Sequence, residues 1–375
     1  MRAVGEGDIV RDLDPAAGER MGRDRVSCLP PQELGEDAVP YLVLYQQDPN
    51  DPERLVPRQL SASQIESYTG CPLCWFISSR VRPSVLDAGF GNMEKGNFVH
   101  DVLYRLHARL MDAGVPRVTE ANLPACIDEL HAVFAEVRAE HGRNKTSSSG
   151  ALVAHSALER VQVDEILPQL EGVLRCEAGA LAPFAPMYLE YSFNELGVEY
   201  AGRPLGGRID RVDVDAEHRA MVIDYKHRAD VNAFRLADPT VAKKDETVPA
   251  DDPDWLPEHT QTLIYAQALR HSELALDARG AIYFATKGSK PAMRGAVSEE
   301  FVEEEPGDGR VPGLRAGFPD AEHGGTMDFD ALLDRVEETI SRRLDELEAG
   351  VVTAAETPAA RCSFNHDLGF ERRNA

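Results

Sequence analysis

The sequence has few basic residues and no long apolar segments. Its 375 residues include 40 lysines and arginines against 64 aspartates and glutamates, a net charge of −24. This charge argues against a generally basic nucleic-acid coat or a membrane-surface protein, although a local basic groove is compatible with it. No run approaches the ~20 apolar residues of a membrane-spanning helix, and the N-terminus lacks the apolar core of a secretory signal.

Cysteine is also scarce. Six cysteines in this length are too few for a disulfide framework, so we expect a reducing, cytoplasmic compartment. The sequence contains no G-x-x-x-x-G-K-[ST] phosphate-binding loop, which argues against an ATP-driven motor in this chain. What is present, 43% hydrophobic and 28% charged residues, is the composition of an ordinary globular protein.

The composition changes near residue 57. Residues 1–57 are rich in Asp, Glu, Gly and Pro, and we predict an acidic arm or linker there. Residues 58–375 are predicted to form one folded domain. Apolar residues at three- and four-residue spacing predict a helix around 99–110. Helical patterns over 122–140 and 157–179 predict a helical insertion at about 115–180.

Strand patterns dominate the next part of the chain. Segments 187–196, 204–215 and 219–226 are separated by short turns and predict an antiparallel meander. The elements expected after them are a helix over 257–271, a strand over 280–287, an irregular acidic stretch over 291–325 and an amphipathic helix over 328–348.

Two of these strands carry residues suited to phosphodiester hydrolysis. Asp210 lies in GGRIDRVD, and Asp224 and Lys226 lie in MVIDYK on the next strand. Residues two apart share a face of a strand, and a hairpin can bring Asp210 beside Asp224. Carboxylates hold Mg²⁺, and a lysine can position or activate the attacking water. D-x-K also occurs on solvated strand faces, but the apolar residues 220–223 favour a central strand, where unpaired charge is costly.

The order of motifs resembles the PD-(D/E)XK nuclease superfamily, most closely its RecB-like branch, which includes the C-terminal nuclease domain of AddB. The matching features are LSASQIESYTGCP, Gly96 with His100, Glu190, Asp210, Asp224 with Lys226, and Gln261 with Tyr265. The resemblance implies a restriction-endonuclease-like α/β core, in which helices flank a mixed β-sheet.

The resemblance also implies a metal site. His100, Asp210 and Asp224 would bind Mg²⁺ or Mn²⁺, and the backbone carbonyl of Tyr225 would complete the set. For His100 the alternative is a capped or core histidine, because it adjoins the apolar stripe of its helix.

The remaining motif residues would act around this metal. The resemblance makes Lys226 the catalytic lysine and Glu190 a supporting acid. It places Gln261 and Tyr265 at the border of the active site, where they would contact DNA or orient the lysine. The alternative for Gln261 and Tyr265 is an exposed helix face.

Some members of the family hold an iron–sulfur cluster on four cysteines. Cys71 and Cys362 match two of those positions, but Ala359 and Leu368 occupy the other two, so we predict that no such cluster forms. A zinc site is an alternative, and we favour a simple packing contact over it. The four zinc candidates are Cys71, Cys74, Cys362 and His366.

Basic residues near the predicted site are candidates for a groove that contacts phosphates. They are Arg203, Arg208, Arg211, Lys226, His227, Arg228, Lys243, Lys244, Lys287 and Lys290. For these residues the alternative is ordinary solvated charge.

The sequence therefore predicts a metal-dependent DNA nuclease in recombination, repair or defence. By analogy with the family, its substrate is single-stranded DNA or a strand delivered by a helicase. One alternative is a nuclease subunit that is active only within a helicase–nuclease complex. Another is a catalytically silent DNA-binding module, against which the intact set of two aspartates and a lysine argues.

Overall fold

The computed structural model describes residues 33–48, 51–82, 90–144, 150–193, 197–229, 234, 254–288, 291–302, 314–320 and 325–353. The chain divides into two compact units. The smaller comprises Met1–Val56, Ser67–Pro83 and Leu344–Ala375, and the larger comprises Pro57–Glu66 and Ser84–Arg343. Every residue predicted to act in catalysis or to bind Mg²⁺ or Mn²⁺ belongs to the larger unit.

The described part of the chain contains both β-strands and α-helices. The strands are β1 (Tyr45–Asp48), β2 (Asp51–Pro57), β3 (Leu60–Ser61), β4 (Ala185–Ser192), β5 (Glu199–Tyr200), β6 (Arg203–Gly206), β7 (Arg208–Val214), β8 (Arg219–Lys226), β9 (Asp277–Ala285), β10 (Ala292–Val297), β11 (Leu314–Arg315), β12 (Phe318–Pro319) and β13 (Thr326–Met327). The α-helices are α1 (Ala62–Gly70), α2 (Pro72–Phe76), α3 (Asn92–Asp112), α4 (Leu123–His141), α5 (Ala157–Asp164), α6 (Ile166–Ala178), α7 (Gln261–Arg270) and α8 (Phe329–Glu348). None of these helices is both long enough and apolar enough to cross a bilayer.

A mixed sheet forms the framework of the larger unit. Among the described residues it has six strands in the order β11-β10-β9-β8-β7-β4. Strands β4, β7 and β8 form the antiparallel meander that the sequence predicts. Strands β8 and β9 are parallel, and the crossover between them contains α7. The predicted mixed α/β fold is therefore confirmed.

An apolar core lies between this sheet and three helices. The buried apolar residues of α3 include all those that the three–four spacing predicts, namely Val99, Val102, Leu103, Leu106 and Leu110. They form one cluster with buried residues of α4 and α6 and with Ile223 and Tyr225 on one face of β8. The other face of β8 carries Asp224, which is thereby directed away from this core.

Two predicted elements are each divided in two. The helix expected over 157–179 is α5 followed by α6, with Glu165 between them. The strand expected over 204–215 is interrupted at Gly207, whose φ of +102° is a conformation that favours glycine. A Cβ on Gly207 would meet the Cβ of Ser61 at 3.1 Å and the hydroxyl of Tyr265 at 3.7 Å. This glycine therefore lets β3 and α7 approach the start of β7 closely.

The prediction of irregular structure over 291–325 is wrong for the first part of that segment. Residues 292–297 form β10, which pairs antiparallel with β9. The segment AMRGAV has neither strong apolar alternation nor β-branched enrichment, so its pairing depends on the neighbouring strand. Gly295 is required there, because its φ is +143° and an added Cβ would lie 2.1 Å from the backbone oxygen of Ala281.

The predicted cysteine sites are only partly described. Cys71 and Cys74 are buried in the smaller unit, and the thiol of Cys71 accepts a hydrogen bond from the backbone N–H of Cys74 at 3.3 Å. Cys362 and His366 lie outside the described residues. The zinc hypothesis and the predicted lack of an iron–sulfur cluster therefore stay predictions.

Candidate active site

Asp210 and Asp224 lie side by side on β7 and β8. Arg211 pairs with Ile223, and the same register places Asp210 opposite Asp224. The side chain of Asp224 is only 3% exposed. Burial and the charge of Asp210 raise the pKa of Asp224, against the opposing effect of Lys226. Two adjacent carboxylates with so little solvent repel each other, and a bound cation would relieve that repulsion.

His100 reaches the same carboxylate from α3. Its Nδ1 lies 3.3 Å from Oδ1 of Asp210, and its Nε2 lies 2.9 Å from the backbone oxygen of Tyr225. Both ring nitrogens therefore face acceptors, as they do in a protonated imidazole. Burial would lower the pKa of His100, but the hydrogen bond and charge of Asp210, with the charges of Asp224 and Glu190, raise it to about 9.

Glu190 adds a third carboxylate beside those of Asp210 and Asp224. It lies between Leu189, which pairs with Arg211, and Tyr191, which pairs with Ile209, so it is opposite Asp210. Potential ligand atoms of His100, Glu190 and Asp210 all lie within 4.8 Å of one another. Burial and then the charge of Asp210 raise the pKa of Glu190.

The backbone of Tyr225 links two of the predicted metal ligands, Asp210 and His100. Its N–H donates to Oδ2 of Asp210 at 2.8 Å, and its carbonyl oxygen faces His100. Its ring lies on the opposite face of β8, where its hydroxyl accepts a hydrogen bond from Arg211 at 2.9 Å. Tyr225 is therefore anchored on both faces of the sheet.

Arg211 belongs to a buried ionic cluster behind the site. It donates to both carboxylate oxygens of Asp213, at 2.5 and 2.7 Å, and to Glu177 at 2.7 Å. His107 lies 3.0 Å from the same guanidinium. The prediction that Arg211 contacts phosphate is wrong, because its guanidinium is buried and held by these carboxylates.

Lys226 projects from β8 beside Asp224. Its Nζ lies 2.6 Å from Oδ2 of Asp224 and donates to Oε1 of Gln261 at 2.9 Å. The amide of Gln261 donates to the hydroxyl of Tyr265 at 3.1 Å. Tyr265 is only 3% exposed, so the alternative of an exposed helix face is wrong for it. Burial would lower the pKa of Lys226, but the charge and hydrogen bond of Asp224 raise it, so the ammonium form is favoured.

Sequence reasoning missed Glu66, which holds the start of α7. Its Oε2 accepts hydrogen bonds from the backbone N–H groups of Thr260 at 2.7 Å and Gln261 at 2.9 Å. Its Oε1 lies 3.3 Å from Nδ1 of His259. Glu66 stands within the motif LSASQIESYTG, but that motif alone does not indicate which helix the carboxylate caps.

The donor set fits a hard divalent cation. Carboxylate oxygens of Asp210 and Glu190, a nearby backbone carbonyl and one imidazole are ligand types that Mg²⁺ and Mn²⁺ accept. The structure brings the predicted metal residues together around Asp210, and Glu190, predicted only as a supporting acid, is part of the same cluster. Asp224 is next to them and in contact with Lys226.

The remaining basic candidates differ in their surroundings. Arg208 is 62% exposed, and its Nε contacts Oε2 of Glu190 at 2.5 Å. His227 is half-buried, with its Nδ1 3.1 Å from the hydroxyl of Thr286. Burial first, and then nearby cations, lower the pKa of His227 to about 4, so it adds no charge at neutral pH. Lys243, Lys244 and Lys290 lie outside the described residues.

Comparison with known proteins is consistent with this geometry. No curated protein matches the sequence. A family model described as the PD-(D/E)XK nuclease superfamily matches residues 59–366, which is most of the chain and contains every residue of the candidate site. The chain therefore belongs to the PD-(D/E)XK nuclease superfamily.

Proposed function

We propose that the protein is a Mg²⁺- or Mn²⁺-dependent deoxyribonuclease that hydrolyses phosphodiester bonds. The observation that supports this most strongly is the convergence of Asp210, Asp224 and Lys226 with His100 and Glu190 in one place. Family membership supplies the reaction class, and the arrangement supplies the groups that this reaction needs.

In this proposal the metal ligands and the lysine have different tasks. Asp210, Asp224, His100 and the carbonyl of Tyr225 would hold the ion, with Glu190 beside them. Such an ion would supply Lewis-acid chemistry, polarising the phosphoryl oxygen and lowering the pKa of a water molecule.

Lys226 acts as a cation in this arrangement. Because its pKa is raised, it is protonated at neutral pH and donates hydrogen bonds rather than removing a proton. It offsets the negative charge that develops on the phosphoryl group and orients the attacking water. Gln261, fixed by Tyr265 and by the start of α7, holds the ammonium in position.

We further propose a substrate and a setting. The resemblance of the ordered motifs to the RecB-like and AddB branch supports single-stranded DNA, or a strand delivered by a helicase, in recombination, repair or defence in the cytoplasm. The lack of a phosphate-binding loop in the sequence is compatible with activity that depends on a separate helicase subunit.

A direct cleavage assay tests the proposal. The protein would be incubated with labelled single-stranded DNA, double-stranded DNA and RNA, in Mg²⁺, Mn²⁺ or EDTA. We expect cleavage of single-stranded DNA with either metal and none with EDTA. Asp224→Asn should abolish cleavage, because loss of a carboxylate ligand should cost several kcal/mol of barrier and each ~1.4 kcal/mol is tenfold in rate.

Asp277→Asn is a matched control for this variant. Asp277 begins β9 and pairs with Arg219 at the far end of β8, five residues along the strand from Asp224. It should retain wild-type cleavage. Wild-type activity in folded Asp224→Asn would refute the site. Cleavage only after a helicase is added would favour the subunit alternative, and DNA binding without cleavage under any condition would favour the silent module.

A further inference from the structure

Two tyrosines on β4 form an aromatic pair beside the carboxylate cluster. The ring centroids of Tyr188 and Tyr191 are 5.0 Å apart, with an interplanar angle of 54°. Both residues are partly exposed, and neither belongs to the apolar cluster between the sheet and helices α3, α4 and α6. Such a pair at the surface is free to contact a planar ligand.

The backbone of Glu190 creates this pair. In a regular strand, residues three apart point to opposite faces of the sheet, so Tyr188 and Tyr191 would not meet. Glu190 has a left-handed φ of 48°, which interrupts the alternation between them. The residue that brings a carboxylate to the metal cluster therefore also brings the two rings together. Strained backbone of this kind is concentrated at functional sites.

Strand β4 lies at the edge of the described sheet. Among the described residues β4 is the last strand of its sheet, with β7 on one side and no strand on the other. Both tyrosines lie within two residues of Glu190, or about 7 Å along the strand. A base adjacent to a phosphate at the carboxylate cluster is therefore within reach of the rings.

A cation accompanies the rings. Arg208 pairs with Ser192 at the end of β4 and is 62% exposed. Its guanidinium contacts Glu190, so its charge lies beside the carboxylate cluster, on the strand that pairs with the one carrying the tyrosines. A protein with a net charge of −24 needs a local cationic surface to bind a nucleic acid. Exposed aromatic rings with a nearby arginine provide such a surface, because the rings can stack on bases and the arginine can contact phosphate.

We propose that Tyr188 and Tyr191 form a stacking platform for unpaired nucleobases next to the scissile phosphate. The platform rests on the proposed function, since it holds the substrate of the same site. It selects single-stranded over double-stranded nucleic acid, because bases in a duplex are stacked on one another and do not offer their faces.

Binding measurements with alanine and phenylalanine variants test the platform. Fluorescence anisotropy would give Kd for a single-stranded oligonucleotide and for the same sequence as a duplex, with Ca²⁺ and with EDTA. Tyr191→Ala and Tyr188→Ala should each weaken single-strand binding by about 5- to 150-fold, the range expected for the loss of one base stack. Tyr191→Phe should keep wild-type affinity, because the ring remains. Duplex binding should change less than twofold.

Met187→Ala is the matched control on the same strand. Met187 is 50% exposed and has no aromatic ring, so its removal perturbs β4 without removing a stacking surface. It should bind single-stranded DNA as the wild type does. A series of oligonucleotides, each abasic at one position, gives a second control. For the wild type, single-strand binding should weaken when the abasic site lies at the stacked position. For Tyr191→Ala, the same abasic site should weaken binding little further.

The outcomes separate the platform from the proposed nuclease activity. Cleavage by the wild type, with unchanged single-strand Kd in both alanine variants, would refute the platform and leave the nuclease proposal intact. Binding that depends on the tyrosines without any metal-dependent cleavage would support the platform and refute the nuclease proposal. Equal weakening of single-strand and duplex binding, or equal weakening in Met187→Ala, would also refute the platform. Thermal unfolding of each variant identifies any that fails to fold, and the abasic oligonucleotide then tests the platform on the wild type alone.

Discussion

Replacing Glu66 should slow catalysis without removing a group of the carboxylate cluster. Glu66 accepts hydrogen bonds from the backbone N–H groups of Thr260 and Gln261 at the start of α7. Gln261 in turn contacts the ammonium of Lys226 at 2.9 Å. Glu66→Gln preserves the shape of the side chain and removes its charge, so we expect the first turn of α7 to loosen and Lys226 to lose its alignment.

The size of the effect follows from these contacts. Removal of a helix N-cap costs about 0.5–2 kcal/mol, and hydrogen bonds to a charged acceptor lie toward the upper part of that range. The side chain of Glu66 is 23% exposed, so water can replace only part of the loss. We expect the free energy of unfolding in urea to fall by about 1 kcal/mol in Glu66→Gln and about 2 kcal/mol in Glu66→Ala. Turnover should fall by about 10- to 100-fold, because a shift of about 1 Å in a positioned group can cost this much.

Acid should remove the stability difference between the wild type and Glu66→Gln. Burial would raise the pKa of Glu66, but the hydrogen bond and charge of His259, with the backbone donors Gln261 and Thr260, lower it below 4.5. A carboxyl group with a lowered folded-state pKa stabilises the fold above its unfolded pKa and loses this contribution as the pH falls through the folded value. Urea denaturation should therefore show the full difference at neutral pH and a shrinking one below pH 4.5.

Glu159 provides the matched control. Its carboxylate accepts hydrogen bonds from the backbone N–H groups of Ser156 and His155, both at 2.8 Å, at the start of α5. Glu159→Gln changes the same kind of cap on a helix that carries no predicted site residue. Unchanged turnover in Glu66→Gln, or an equal fall in Glu159→Gln, would refute the idea that Glu66 positions Gln261.

Three further measurements probe the residues around the site. Lys226→Ala should lower kcat by about 10²- to 10³-fold, since Lys226 stabilises charge in the transition state. Calorimetry should show little change in metal Kd, and a parallel loss of metal affinity would contradict this role. Arg211→Met leaves buried carboxylates without their cation and should cost about 3–5 kcal/mol in urea denaturation, whereas Arg175→Met on the surface should cost far less. Metal affinity should increase from about pH 6 to 9, because protons on His100 and Asp224 compete with the ion. A metal Kd that does not change with pH would contradict the assignment of both residues as ligands.

Sequence patterns predicted the elements that depend on local spacing. The apolar stripe of α3, the meander of β4, β7 and β8, and the helix that carries Gln261 and Tyr265 all follow from periodicity and turn residues. The proximity of Asp210 and Asp224 was predictable for the same reason, since consecutive antiparallel strands pair and a period of two sets the face. Strand β10 was missed because its residues show little alternation and its pairing is decided by β9.

The sequence by itself therefore determined the order of elements and the identity of the central carboxylates and lysine, because these depend on residues near one another in the chain. The tertiary structure alone decided which distant groups meet. Glu66 caps a helix 195 residues further along the chain, and Arg211 on β7 donates a hydrogen bond to Glu177 on α6. The left-handed backbone of Glu190, which pairs the two tyrosines, likewise arises where β4 packs against β7. Contacts of this kind are set by long-range packing, and no local pattern encodes their partners.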